Sequence, residues 1–407
     1  MRKTLSYSIL LLGALCAFSA LTASLASAQA AGVPRDSARP AVQFTDKGLV
    51  FNSADGFSYF ALRFRVQNFA VLSTVDDQPS IAGSQFAIRR ARLRFESVVW
   101  DPRLKVNVQL SFSRGDMDFE NSGFPNVLRD AAVTWQATPR LSLMAGQTKL
   151  PGNRQRVVSS GELQFPDRSI VNSAFTLDRD AGVWVGYQAL GAQLPFHLRA
   201  AITGGEGRNA AAGDAGLAYT GRVEVYPLGA FTGGGDYFEG DLLRETSPKL
   251  AVGVVFSHNE QARRTHGQLG KLLGEPRDME IGIVDLLFKY RGFAASAELA
   301  RRTSRDPITT LGTETRYVLS GDGVNVQASY LTRANIEPAV RYSVVNPHRD
   351  LAGVAERQRQ MSFGLTRYLK GHRVKLQGEL LRDDFRDAVT FATRGGWSLR
   401  TSLEVGI

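Results

Sequence analysis

In the stretch RLKVNVQLSFSR, Leu104, Val106, Val108, Leu110 and Phe112 alternate with Lys105, Asn107, Gln109, Ser111 and Ser113. A period of two sends the apolar side chains to one face of a strand and the polar ones to the other. The same alternation runs through FALRFRV, FAIRRARLRFES, VTWQ, RLSLMAGQ, GVWVGYQ, FHLRAAI, GRVEVY, LAVGVVFSH, DLLFKY, FAASAELA, VNVQASYL, IEPAVRYSVV, MSFGLT, VKLQGELL and WSLRTSLEVGI. With the first stretch these predict sixteen strands, and an even number is what closes a bacterial outer-membrane barrel.

The connections sharpen that expectation. Short polar turns, WDPR, ATPR, YRG, TRAN and LKGH, alternate with long connections at 74–84, 115–126, 149–180, 259–278, 304–316 and 346–358. Short turns on one side and long loops on the other are the layout of a transmembrane barrel. One connection breaks the rule, because 227–248 is long where a short turn is due. A soluble sandwich is the competing reading, but roughly 350 residues of strands would need two such domains, and no linker separates them. The expected fold is therefore all-β, a closed antiparallel transmembrane barrel of about sixteen strands. In the last strand Trp397, Leu399, Leu403, Val405 and Ile407 share the lipid-facing parity.

The start of the chain carries Arg2 and Lys3, an apolar run and the small-residue ending ASAQA, which reads as an export signal at 1–30 cut after Ala30. Residues 31–57 read as a mobile leader and 58–407 as the barrel. Cys16 is the sole cysteine, so the exported chain forms neither disulfides nor thiolate metal sites. The formal charge is +10, and removing Arg2 and Lys3, with no Asp or Glu in 1–30, leaves +8. Export argues against a nucleic-acid partner for so basic a chain, leaving inorganic anions and the anionic outer-membrane lipid surface, lipopolysaccharide included. His197, His258, His266, His348 and His372 lack ligand spacing, and the glycine-rich GGEGRN and TGGGD lack the Lys-Ser/Thr of a phosphate-binding loop, so no metal, cofactor or catalytic residue is expected. An outer-membrane hydrolase with a rim Ser and His stays open as the alternative from another class.

Several stretches resemble the phosphate-selective porin O and P family. KGLVFNSADGFSYFALRFRVQNF is similar to its first strand and lead-in, FAIRRARLRFES to its second, and EPAVRYSVVNP and HRVKLQGELL to late strands. Its most distinctive motif is matched by GQTKLPGNRQRVVSSGELQFPDRSIVNSAFTLDRDAGVWVGY, at Gly146, Gln147, Lys149, Pro151, Ser159, Ser160, Phe165, Arg168, Ser169, Phe175, Arg179, Asp180, Gly182 and Gly186. Gly152 and the pair Pro166-Asp167 depart from that motif. The resemblance implies a homotrimer of sixteen-stranded outer-membrane barrels passing anions, with an inward-folded third outer loop.

An anion path needs donors that replace lost hydration, and arginine offers oxyanions a planar fork of paired hydrogen bonds. Leu93 and Phe95 set the lipid parity of their strand, which sends Arg90, Arg92, Arg94 and Glu96 to the lumen; Arg63, Arg65 and Lys105 join them by the same rule. The long segment 149–180 contributes Lys149, Arg154, Arg156, Arg168 and Arg179, with Leu163, Phe165, Ile170, Val171 and Phe175 available to pin it to the wall. Two readings remain open here: a ladder that draws anions, or wall arginines paired with Glu96, Asp130 and other carboxylates. Arg89 has the lipid parity and is expected at the rim or in a bulge. General-diffusion and plugged structural barrels are further alternatives.

Overall fold

The computed structural model describes residues 41–45, 48–74, 80–118, 125–191, 193–210 and 216–407; the signal expected at 1–30 lies outside them. Within them the strands are β1 (Val42–Thr45), β2 (Gly48–Asn52), β3 (Tyr59–Ser73), β4 (Gly83–Val98), β5 (Leu104–Ser111), β6 (Leu128–Gln136), β7 (Leu141–Lys149), β8 (Arg179–Ala189), β9 (Phe196–Thr203) and β10 (Ala218–Val225). They continue as β11 (Lys249–Arg264), β12 (Leu272–Tyr290), β13 (Phe293–Thr303), β14 (Ile308–Leu311), β15 (Glu314–Tyr317), β16 (Gly321–Tyr330), β17 (Ile336–Pro347), β18 (Arg357–Lys370), β19 (Val374–Arg386) and β20 (Thr393–Gly406).

All sixteen predicted strands are present. From β3 to β13 and from β16 to β20 each pairs antiparallel with its chain neighbour, β13 pairs with β16, and β20 returns to β3 from Ser398↔Ser73 to Gly406↔Arg65. That last pairing closes the wall, which leaves no edge and satisfies every strand's backbone groups in hydrocarbon. The period-two pattern then explains itself: outward residues such as Val254, Phe256, Leu380 and Leu403 are exposed to lipid, while inward ones such as Glu224, Asp285, Ser362 and Glu404 are buried.

The leader expectation needs correction. Its described part forms the hairpin of β1 and β2, and β2 pairs with Tyr59 to Leu62 of β3, below the point where β20 ends. The hairpin thus extends the wall at the seam, and Phe51, Phe60 and Phe95 line up across it with ring centroids 6.1 and 5.7 Å apart. The loop expected at 259–278 is shorter too, since β11 and β12 continue pairing as far as Arg264↔Leu272. The expected loop 304–316 holds the small hairpin of β14 and β15.

Two bulges re-aim arginines. Between Gln67↔Arg90 and Asn68↔Ile88 the register slips, leaving Arg89 as the extra residue, as its charge and parity led us to expect. The slip turns Phe86 and Ile88 outward and Arg90 and Arg92 inward, because each added residue flips the face. A second slip between Gln109↔Asp130 and Leu110↔Leu128 inserts Arg129, which is buried.

Segment 150–178, between β7 and β8, is not structureless. It carries one-turn helices α2 (Arg154–Val157) and α3 (Ile170–Phe175), and the Ser169 hydroxyl caps α3 by accepting from Asn172 N at 3.1 Å. Leu163, Phe165, Val171 and Phe175 are buried; Val171 and Phe175 join Val255, Ile281, Ile283 and Val345 of the wall in one apolar cluster. Glycines on the wall make this close approach possible. A Cβ on Gly323 would lie 2.7 Å from the Phe175 ring, and one on Gly364 would lie 2.7 Å from that of Phe165.

Candidate functional site

A cavity of about 770 Å³ lies between the inward faces of β3 to β8, the turn after β18 and segment 150–178. Arg63, Arg65, Arg92, Arg94, Arg129, Lys149, Arg156, Arg168, Arg179, Lys370 and Arg373 line it, against the carboxylates of Asp130, Glu162 and Glu404. Cations outnumber carboxylates several-fold among the residues that line it.

The strands place these groups and nearby carboxylates hold many of them. Arg63 and Arg94 both reach Glu96, each at 2.5 Å. Arg92 and Arg129 share Asp116, at 2.6 and 2.9 Å, a carboxylate presented by α1 (Arg114–Met117) just beyond β5. Arg179 makes a forked contact with Asp130, at 2.9 and 3.1 Å. Arg156 is paired with Asp178. The wall arginines are thus paired with carboxylates, as one of the two readings of the ladder expected, and they also border a common cavity.

One hydroxyl and the loop backbone complete the arrangement. Arg65 Nη2 and Arg92 Nη1 both donate to Ser160 Oγ, at 2.7 and 2.8 Å, which ties two wall arginines to the loop. Lys149 Nζ donates to the carbonyls of Val157 and Val158, and Arg168 to those of Gln155 and Val158. These carbonyls orient the cations and leave their charge uncancelled, unlike a carboxylate.

Of the sequence-predicted residues, Arg63, Arg65, Arg92, Arg94, Lys149, Arg156, Arg168 and Arg179 border the cavity. Three do not. Arg154 is buried and paired with Glu224 and Asp285, away from the cavity, which corrects its expected role as an anion contact. Arg90 is 3% exposed and bound to Gln67, the Pro166 carbonyl and Asp167. Lys105 stands exposed next to a short turn. Asp167, one of the departures from the family motif, clamps both Arg89 and Arg90, at 2.7 and 2.8 Å. Burial alone would raise its pKa, but the two guanidiniums outweigh that and hold it below the ordinary carboxylate range.

Sequence reasoning missed Arg129, Lys370 and Arg373. Arg129 has the lipid parity and only its bulge brings it inside, whereas Lys370 and Arg373 flank a turn that was read as a connection alone.

Residues 60–268, just over half of the chain, match the profile of the family described as phosphate-selective porin O and P. Among solved structures the chain is similar to the outer membrane channel DcaP of Acinetobacter baumannii, with 13% identity over 88% of this chain and 99% of that one and a TM-score of 0.53. It is also similar to Salmonella typhi OmpF in complex with daunomycin, with 14% identity over 86% and 98% and a TM-score of 0.53. At such identities the likeness is one of fold. None of the curated proteins compared with the chain matches it.

Proposed function

The chain belongs to the phosphate-selective porin O and P family, a porin channel of the outer membrane, and on that premise we propose that it conducts anions through the basic cavity, with preference for phosphate-like oxyanions. The observation that carries this reading is the cavity's lining, eleven Lys and Arg side chains against three Asp and Glu. Segment 150–178 serves as an inward-folded constriction. Its support is the spread of its partners, because one segment bonds to Gln67 and Arg65 on β3, Arg222 on β10, Glu298 on β13 and Lys375 on β19. A segment reaches so many strands of a closed wall from the inside.

A cluster of arginines supports the oxyanion preference. Arg65 and Arg92 are brought together on Ser160 at the edge of the cavity, and guanidinium N–H donors match a tetrahedral oxyanion better than a single chloride. The test is conductance in planar bilayers carrying chloride, with phosphate added at concentrations too low to alter ionic strength. Phosphate should block the chloride current, and Arg65→Ser with Arg92→Ser should relieve the block roughly tenfold, the loss expected when charge-assisted bonds go. Absence of any block would reduce the channel to a general anion porin. Lys105 and Arg63 act as an electrostatic funnel near the short turns, and the chain assembles as a trimer in the family manner.

A further inference from the structure

The connection 227–248, long where a short turn is due, is anchored within the barrel. Its middle forms a 3-10 turn at Thr232–Tyr237. Lys289 of β12, with 0% exposure, donates to the carbonyls of Gly235, Phe238 and Gly240 at 2.6, 2.8 and 2.7 Å and lies 4.0 Å from the Phe238 ring centroid. Three donors used on three carbonyls of one segment exhaust what an ammonium can offer. The far end is fixed at the short-turn rim, where Arg244 donates to the carbonyls of Leu331 and Thr332 and Gly292 N donates to Asp241.

This connection enters from the short-turn side and meets segment 150–178, which enters from the long-loop side. Glu239 is the clasp. Its backbone N–H donates to the Glu162 carbonyl at 3.0 Å, and its carboxylate accepts from Gln155 Nε2 at 3.1 Å and Gln164 N at 2.8 Å. Behind the two segments the wall carries four buried carboxylates, Glu224, Asp285, Glu298 and Glu337, each 1% exposed or less, the first two also bridged by Arg222 of the same wall. Residues of segment 150–178 occupy all four, Arg154 on Glu224 and Asp285, Asn153 and Gln155 on Glu298, and Gln164 on Glu337.

We propose that connection 227–248, anchored by Lys289 and clasped through Glu239, is a seal that keeps this carboxylate-lined sector closed and so confines ion flow to the basic cavity. Lys289 and Glu239 are positioning residues for selectivity, acting through the seal and not on the ion. If the seal leaves, a second path opens beside the first, and its walls draw cations. The inference rests on the anion-channel reading, and the wild-type reversal potential tests that reading separately.

The experiment compares three proteins in planar bilayers under a potassium chloride gradient: the wild type, Lys289→Met, and a chain whose residues 229–246 are replaced by a short glycine-serine turn. Methionine keeps the unbranched shape of the side chain to within one atom of its length and removes every donor, and the replacement chain serves if Lys289→Met does not assemble. Either variant should raise single-channel conductance roughly twofold, as a parallel path adds to the first, and shift the reversal potential toward that of potassium. Wild-type conductance in an assembled variant would overturn the proposal. So would a larger conductance with undiminished chloride preference, because the added path would then not be the acidic one.

Discussion

Two halves of the barrel interior are built from the same kinds of residue and behave oppositely. Between β10 and β19 nearly every buried charge meets an opposite charge or a full set of hydrogen bonds: Arg222 takes both oxygens of Asp285 at 2.6 and 2.9 Å, and Arg341 meets Glu379 at 2.7 Å. Between β3 and β8 the arginines are paired from behind but border a cavity that their carboxylates do not enter in equal number. In the first half a charge is a fastener, and in the second it is a surface. The difference lies in the partners each charge meets, so that position in the barrel, rather than residue type, decides what an arginine does.

The largest effect is expected where charges are fasteners. Arg222→Met leaves Asp285 buried with a single cation, and breaking such a pair costs about 3–5 kcal/mol, readable as a lower midpoint in urea unfolding from detergent or bilayer. Gly364→Ala comes next, since its Cβ would lie 2.7 Å from the Phe165 ring; the overpacking should cost about 1–3 kcal/mol by the same assay and raise conductance as segment 150–178 shifts. Arg94→Ala belongs to the cavity half. Its half-exposed pair with Glu96 should cost less than about 1 kcal/mol of stability, while anion preference falls measurably in the reversal potential.

The smallest effect is a pH dependence. Glu162 lines the cavity, and burial pushes its carboxyl up from the ordinary range despite the nearby Lys149, Lys375 and Arg65. As pH falls through that raised value the carboxylate is neutralised, the cavity loses a negative charge, and anion preference should rise. Glu162→Gln should show the higher preference at neutral pH and lose the pH response; a response that persists in this variant assigns it to another group.

The wall was legible in the sequence because a period of two is enforced by lipid on one side: a slip of one residue would put Leu93 and Phe95 inside and Arg94 in hydrocarbon. Bulges escape such a reading. Arg129 has the wrong parity for the lumen, and nothing local announces that an extra residue carries it inward. Arg89 was easier, because a charge at lipid parity has to be explained. The interior was less legible for a different reason. Arg154 and Arg156 are two residues apart in one short helix, yet one is locked between Glu224 and Asp285 and the other borders the cavity. Their partners lie far away in sequence, so no local pattern separates them. The connection 227–248 stood out by length alone, and its anchor, Lys289, reads in sequence as an ordinary strand residue.

The central claim, that the basic cavity sets the selectivity of the channel, is tested most directly by the reversal potential of the wild-type protein under a potassium chloride gradient, measured beside an Arg65→Ser, Arg92→Ser, Arg94→Ser variant. The account predicts a wild-type potential on the chloride side that moves toward zero in the variant, with the barrel still assembled. A wild-type potential on the potassium side, or one that an assembled variant leaves unchanged, would contradict it.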